Sequence, residues 1–374
     1  MILALTLMFW LLGADFRNKL LLIRKNPVAM LSLALFGLYA LGLSYGVANR
    51  SSLLDTGHFL LIPLFIILFQ EEKIRQYALW GFMSALLLTL LLSYLLWLNL
   101  LPASAIWKGT SADPVIFHLR ITHNLLMAFG AFLFSLYALR PAPLPRRILL
   151  ALFAILALVN VLFMVQGRTG QVVALMLAAF FFWNLGARRG LIIPAFAVIL
   201  LFTFAAFLPA SSLHQRFSLA AAEFSAWQPG TPSSEDSSVG MRMEFYKNSL
   251  EIIRKNPFFG AGTGGFTKAY AAQIKDTGMV TSENPHNEYL MVTVQLGIIG
   301  LGLFLLLFFR QWRLAVLLPD AFEKAAARGL VLTIVVASMV SSTLIDHTEG
   351  LFYFWMSALF YASLSSSKME TKAT

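Results

Sequence analysis

The chain has 374 residues, of which 59% are hydrophobic and 12% charged, with a mean hydropathy of +0.75; a soluble domain carries about a quarter charged residues. It contains no cysteine, which excludes disulfide frameworks, thiolate metal sites and cysteine nucleophiles. The net charge of +10 does not point to nucleic acid, because membrane proteins concentrate Lys and Arg on cytoplasmic loops.

Apolar runs close to the ~20 residues that cross a bilayer recur throughout. They predict about eleven transmembrane helices, near residues 1–14, 27–47, 53–70, 77–101, 122–139, 148–166, 169–186, 190–208, 287–309, 326–344 and 351–366. The expected fold is an all-α polytopic membrane protein. Residues 1–208 form an N-terminal helix bundle, 209–286 one large loop containing helices, and 287–374 the C-terminal helices. The connections alternate in charge. Seventeen of the 28 Lys and Arg residues fall on one set, including Arg17, Lys73, Arg140, Arg188, Arg310 and Lys368, whereas the short connections of the other set hold only Arg50, Lys108, Arg120 and Arg168. Positive-inside logic puts the rich set in the cytoplasm and the large loop outside. Residue 1 then lies outside too, and the opening span is short. Both features point to a chain that starts one span late or has an incomplete first span; a true outside N-terminus is the alternative.

The loop balances seven basic residues against seven acidic ones, so it is not a basic patch. Leu213, Phe217, Ala220, Ala221 and Phe224 recur at helical spacing and predict an amphipathic helix from Ser211 to Trp227 lying on the membrane surface. The polar run 228–240 follows. A second helix is expected from Met241 to Lys255, with Ser237 or Ser238 near its N-cap and an end forced at Asn256 by Pro257. The run GAGTGGF from Gly260 lacks a preceding strand and a Gly-Lys-Ser/Thr, so it reads as a tight turn approaching the membrane or a ligand rather than a phosphate loop.

Three residues could carry chemistry. His286 stands where the loop meets the next span, and an imidazole there can take a proton from an attacking hydroxyl. Arg168 lies in a Gly-Arg-Thr-Gly turn between two spans, where its charge is costly unless it is paired, snorkels or meets an anion. Arg242 opens the second loop helix. Guanidinium groups keep their charge and match phosphate oxygens as a planar fork, so two converging arginines suit a lipid-linked pyrophosphate; solvated helix charge is the plainer reading. His118, Arg120, His123 and His347 fall on the same side. They could line the same mouth or simply mark membrane ends. No Asp-x-Asp or His/Glu cluster able to hold a metal appears there; Glu235-Asp236 sits in the polar run.

The spacing His286-Asn287, nine residues, Gly297, two residues, Gly300 resembles the signature of bacterial O-antigen ligases and the related polymerases. An arginine opening a helix, then Asn-Pro-Phe-Phe-Gly-Ala-Gly-Thr-Gly-Gly-Phe, and a span ending in Arg-Thr-Gly agree with it, so the likeness covers roughly residues 165–300. That resemblance implies transfer of a polysaccharide from undecaprenyl pyrophosphate to a sugar of lipid A-core at the periplasmic face of the inner membrane, without metal or cofactor. Carried over, Arg168 and Arg242 bind the donor pyrophosphate, His286 activates the acceptor hydroxyl and Asn287 orients that histidine. Membrane lipids are the remaining partners, nucleic acid is not one, and a monomer is expected. The chain departs from the family in having one span fewer than usual and Gly167 where serine is frequent.

Polymerase and protein O-oligosaccharyltransferase share the donor and differ in acceptor. Protein-modifying relatives tend to extend at the C-terminus, whereas this chain stops just past its last span, and the ligase is favoured. A transporter or lipid flippase would instead gather polar residues and broken helices at mid-membrane; here ionisable residues collect at the boundary.

Overall fold

The computed structural model describes residues 15–49, 51–102, 107, 109–117, 119–189, 212–232, 237–344 and 347–365. The described residues are helical with one isolated bridge between Thr110 and Asp113. In chain order the α-helices are α1 (Phe16–Lys25), α2 (Pro27–Leu41), α3 (Ser52–Thr56), α4 (Leu61–Leu68), α5 (Glu72–Trp97), α6 (Arg120–Ala138), α7 (Leu144–Val159), α8 (Arg168–Arg189), α9 (Ser212–Ala226), α10 (Ser238–Lys255), α11 (Phe266–Gln273), α12 (Glu288–Leu314), α13 (Ala321–Ala337) and α14 (His347–Tyr361).

Six helical segments among the described residues are long and apolar enough to cross a membrane: Pro27–Ser44, Glu72–Trp97, Arg120–Ala138, Leu144–Met164, Arg168–Leu185 and Glu288–Leu317. The fold is thus an all-α polytopic membrane protein. Expected spans 1–14 and 190–208 lie outside the described residues. The span expected at 53–70 is not one helix: Gly57–Leu60 tightens into a 3₁₀ turn between α3 and α4. Phe16–Lys25, read as a charged connection, is helical.

Helix α6 is the hub. Almost all of its length is buried, and it packs where neighbours offer no side chain: Gly329 of α13 faces the Phe132 ring, which lies 2.2 Å from where a Cβ would sit. Hydrogen bonds tie α6, α8, α12 and α14 at one end. Asn124 of α6 donates to Val165 O and Gly167 O, both at 3.2 Å, Thr122 bonds Glu349 of α14, and Glu288 N donates to Ser338 O after α13 at 2.9 Å. Four helix N-termini therefore share this end with the C-terminus of α13, and it also carries α9 to α11.

The long helix α12 is broken at Gly297, whose φ of 64° is left-handed. The break is filled by the glycine-rich turn. Ala261 N donates to Val294 O at 2.7 Å, Gly262 N to Gln295 O at 3.0 Å, and Ile298 N to Pro257 O at 2.8 Å. Backbone groups that a broken helix would orphan are satisfied from the turn, as low-dielectric surroundings demand. The turn also grips α2: Thr263 N donates to Gly42 O and Val47 N to Ala261 O. The close approach expected of this turn is therefore to the chain's own backbone.

Candidate active site

Helix α10 begins where Ser237 Oγ accepts from Gly240 N at 3.1 Å and stops at Asn256 before Pro257. Glu223 of α9 accepts from Val239 N at 2.8 Å, fixing the amphipathic helix to the first turn of α10. That turn presents Arg242, half-buried. Arg168 is the first residue of α8 and is also half-buried. Its turn is held from two sides: Asn124 packs against Gly167 and Gly170, where a Cβ would come within 2.6 Å and 2.2 Å of it, and Gln166 N donates to Asp113 Oδ1 at 3.0 Å. A Cβ at Gly167 would require the Asn124 amide to shift.

The two guanidinium groups act on one another. Burial lowers the Arg242 pKa, Tyr246 opposes that, and the nearby Arg168 charge lowers it further. Among the described residues, neither arginine forms an ion pair with a carboxylate. His286 belongs to the same group: its pKa lies below the ordinary histidine value, chiefly through burial and then through the Arg242 charge. The ring is therefore neutral at physiological pH, as a base must be.

His286 is held in an uncommon conformation, with φ 51°, a state that costs a non-glycine residue about 1–3 kcal/mol and persists only when its surroundings enforce it. Three contacts do so. Its N–H donates to Asn284 Oδ1 at 2.9 Å, its carbonyl receives the Tyr246 hydroxyl at 3.3 Å, shared with Met339 O at 3.1 Å, and its ring lies 5.9 Å from that of Phe245. Asn287 follows it in the chain: its Oδ1 caps α12 by accepting from Leu290 N at 3.0 Å and its Nδ2 donates to Met339 O at 2.9 Å.

The remaining candidates separate. Arg120 pairs with Asp113 and so supports the Arg168 turn at one remove. His123 is fully buried; Ile116 N donates to its Nδ1 at 3.3 Å, which leaves Nε2–H to donate to Asn160 Oδ1 at 3.0 Å. Both nitrogens are engaged inside the bundle, and His123 does not line the mouth. His118 lies outside the described residues, as does the side chain of His347, the first residue of α14. Sequence reasoning missed Tyr246, Asn124 and Asp113. Tyr246 was findable, being one helical turn beyond Arg242; Asp113, in an irregular loop, carried no local signal.

Residues 152–305 match the O-antigen ligase family model. The matched segment contains Arg168, Arg242, His286, the break at Gly297 and the turn that fills it, so the resemblance read from the sequence lies wholly within it. No curated protein matches the chain. In fold, the chain is similar to a solved chain from work on polymerization and crosslinking by a peptidoglycan synthase complex, at TM-score 0.52 and 16% identity over 90% of this chain and 96% of that one. Ligase or polymerase-type glycosyl transfer is the activity that the family match supports.

Proposed function

We propose that the protein is an O-antigen ligase, moving polysaccharide from undecaprenyl pyrophosphate to a sugar hydroxyl of lipid A-core at the periplasmic face of the inner membrane. The observation that carries this reading is the pair of half-buried arginines without a carboxylate partner among the described residues, beside a histidine whose pKa burial and the Arg242 charge hold below the ordinary value. The leaving group is a diphosphate, already a stable anion, so its departure needs positive charge more than a proton. Arg168 and Arg242 supply that charge, reinforced by the N-terminus of α8. His286 takes the proton of the acceptor hydroxyl as its oxygen bonds the anomeric carbon and the bond from that carbon to the diphosphate breaks. Each atom in this scheme has a destination without a metal.

Purified protein mixed with undecaprenyl-pyrophosphate glycan and lipid A-core tests the proposal. Capped core is expected, and a chelator should leave the rate unchanged. Lengthened donor without capped core would assign a polymerase instead. If Arg168→Ala, Arg242→Ala and His286→Ala each left capping intact, the enzymatic reading would be lost, and passage of the lipid through the membrane would be the next hypothesis.

A further inference from the structure

At the opposite end of α10 from Arg242, ~20 Å along a helix rising 1.5 Å per residue, a cavity of about 710 Å³ opens between the turn after α2, the C-terminus of α10 and α11. Tyr45, Lys255, Asn256, Phe259, Lys268 and Gln273 are among its walls, and no Asp or Glu among the described residues lines it. Its floor is backbone and cannot be refilled by side chains: a methyl group on Gly46 would meet Ala261 O at 2.2 Å, and one on Gly260 would meet Gln295 C at 2.5 Å. Lys255 is pre-set, since its Nζ donates to Gln273 Oε1 at 2.6 Å and Gln273 Nε2 donates onward to Glu251.

The cavity opens against Tyr45–Val47, the residues that directly follow the apolar span Pro27–Ser44. Pro257–Phe259 fills the break at Gly297, and immediately beyond it α12 exposes Ile298 (55%) and Ile299 (44%) to its surroundings. Phe258 and Phe259 are exposed as well, 63% and 62%, which extends an apolar surface of the kind that meets lipid. Cations at a helix C-terminus ordinarily serve its dipole, and that explains Lys255 at the end of α10. It does not explain Lys268, the third residue of α11, where the dipole opposes a cation and favours an anion beside it.

We propose that this cavity binds the anionic, phosphate-bearing headgroup of a membrane lipid, with Lys255 and Lys268 on the phosphate, Phe258 and Phe259 seated among the acyl chains, and Tyr45, Asn256 and Gln273 facing the rest of the headgroup. The site is separate from the arginine pair and does not depend on the reaction assigned there. It would seat one lipid against the turn that fills the α12 break.

Native mass spectrometry of the full chain in detergent, titrated with phosphatidylglycerol, tests this. The Lys255→Ala/Lys268→Ala pair is expected to weaken binding about thirty-fold, since each lysine near a lipid surface contributes several-fold. Lys255→Arg/Lys268→Arg should keep it, and so should the charge-matched Lys247→Ala/Lys275→Ala pair. Should the double alanine variant not fold, Lys268→Ala alone carries the test with about a five-fold loss. Equal weakening in the control pair would overturn the site in favour of diffuse attraction. Inorganic phosphate displacing the lipid at millimolar concentration would overturn the lipid as occupant and leave a free-anion site.

Discussion

Arg242 and Arg168 hold like charges near each other without a carboxylate partner among the described residues, an arrangement that is unfavourable until an anion arrives. Replacing either by glutamine keeps much of the volume and removes the charge; the expected loss is about 10²–10³ in the rate of transfer, the cost of removing one preorganised charge-stabilising group. Capped core measured at saturating acceptor would give the ratio, and a loss under five-fold would detach that arginine from the reaction. The pH dependence follows from the sign of the His286 shift. Its pKa is depressed, so the ring stays neutral as pH falls below the ordinary value of ~6.5, and the acid limb of the pH-rate profile should lie below that value. Arg242→Gln removes a neighbouring positive charge that disfavours imidazolium, so the His286 titration should move upward, which an NMR titration of the ring would read without activity.

At the scale of elements, the break in α12 and the turn from Pro257 to Gly264 are one unit. Gly297→Ala puts a Cβ 2.2 Å from the Phe258 carbonyl carbon at a φ of 64°. Backbone strain alone accounts for roughly 1–3 kcal/mol, and displacement of the turn adds to it. Thermal denaturation in detergent should show a clear drop for Gly297→Ala and none for Gly81→Ala in α5, where a Cβ meets nothing within 4 Å. Equal behaviour of the two would mean that the turn does not hold the helix. Both halves of the unit were visible in the sequence as separate motifs, a glycine-rich run and a pair of glycines after His286-Asn287. Their meeting was not visible, because 33 residues separate the donors at Ala261 and Gly262 from the acceptors at Val294 and Gln295.

For the whole molecule, the charge asymmetry predicts the orientation. The chain has no cysteine, so single reporters are clean. Thr281→Cys in the loop should react with a membrane-impermeant maleimide in intact spheroplasts, and Ala321→Cys at the start of α13 only after permeabilisation. The reverse pattern would turn the site to the cytoplasm and end the proposed reaction, since acceptor and donor glycan would then face the wrong compartment.

Apolar runs and the Ser237 start and Pro257 stop of α10 were readable from the chain alone, because bilayer thickness, capping and the fixed φ of proline act on a few neighbouring residues. The tertiary structure decided what each polar side chain does. His123 turns inward to Asn160, Asn287 caps its own helix, and Asp113 holds both Arg120 and the Arg168 turn. The physical reason is that a buried polar atom takes whichever partner the packed bundle brings within ~3 Å, and that partner is set by helices far apart in the chain.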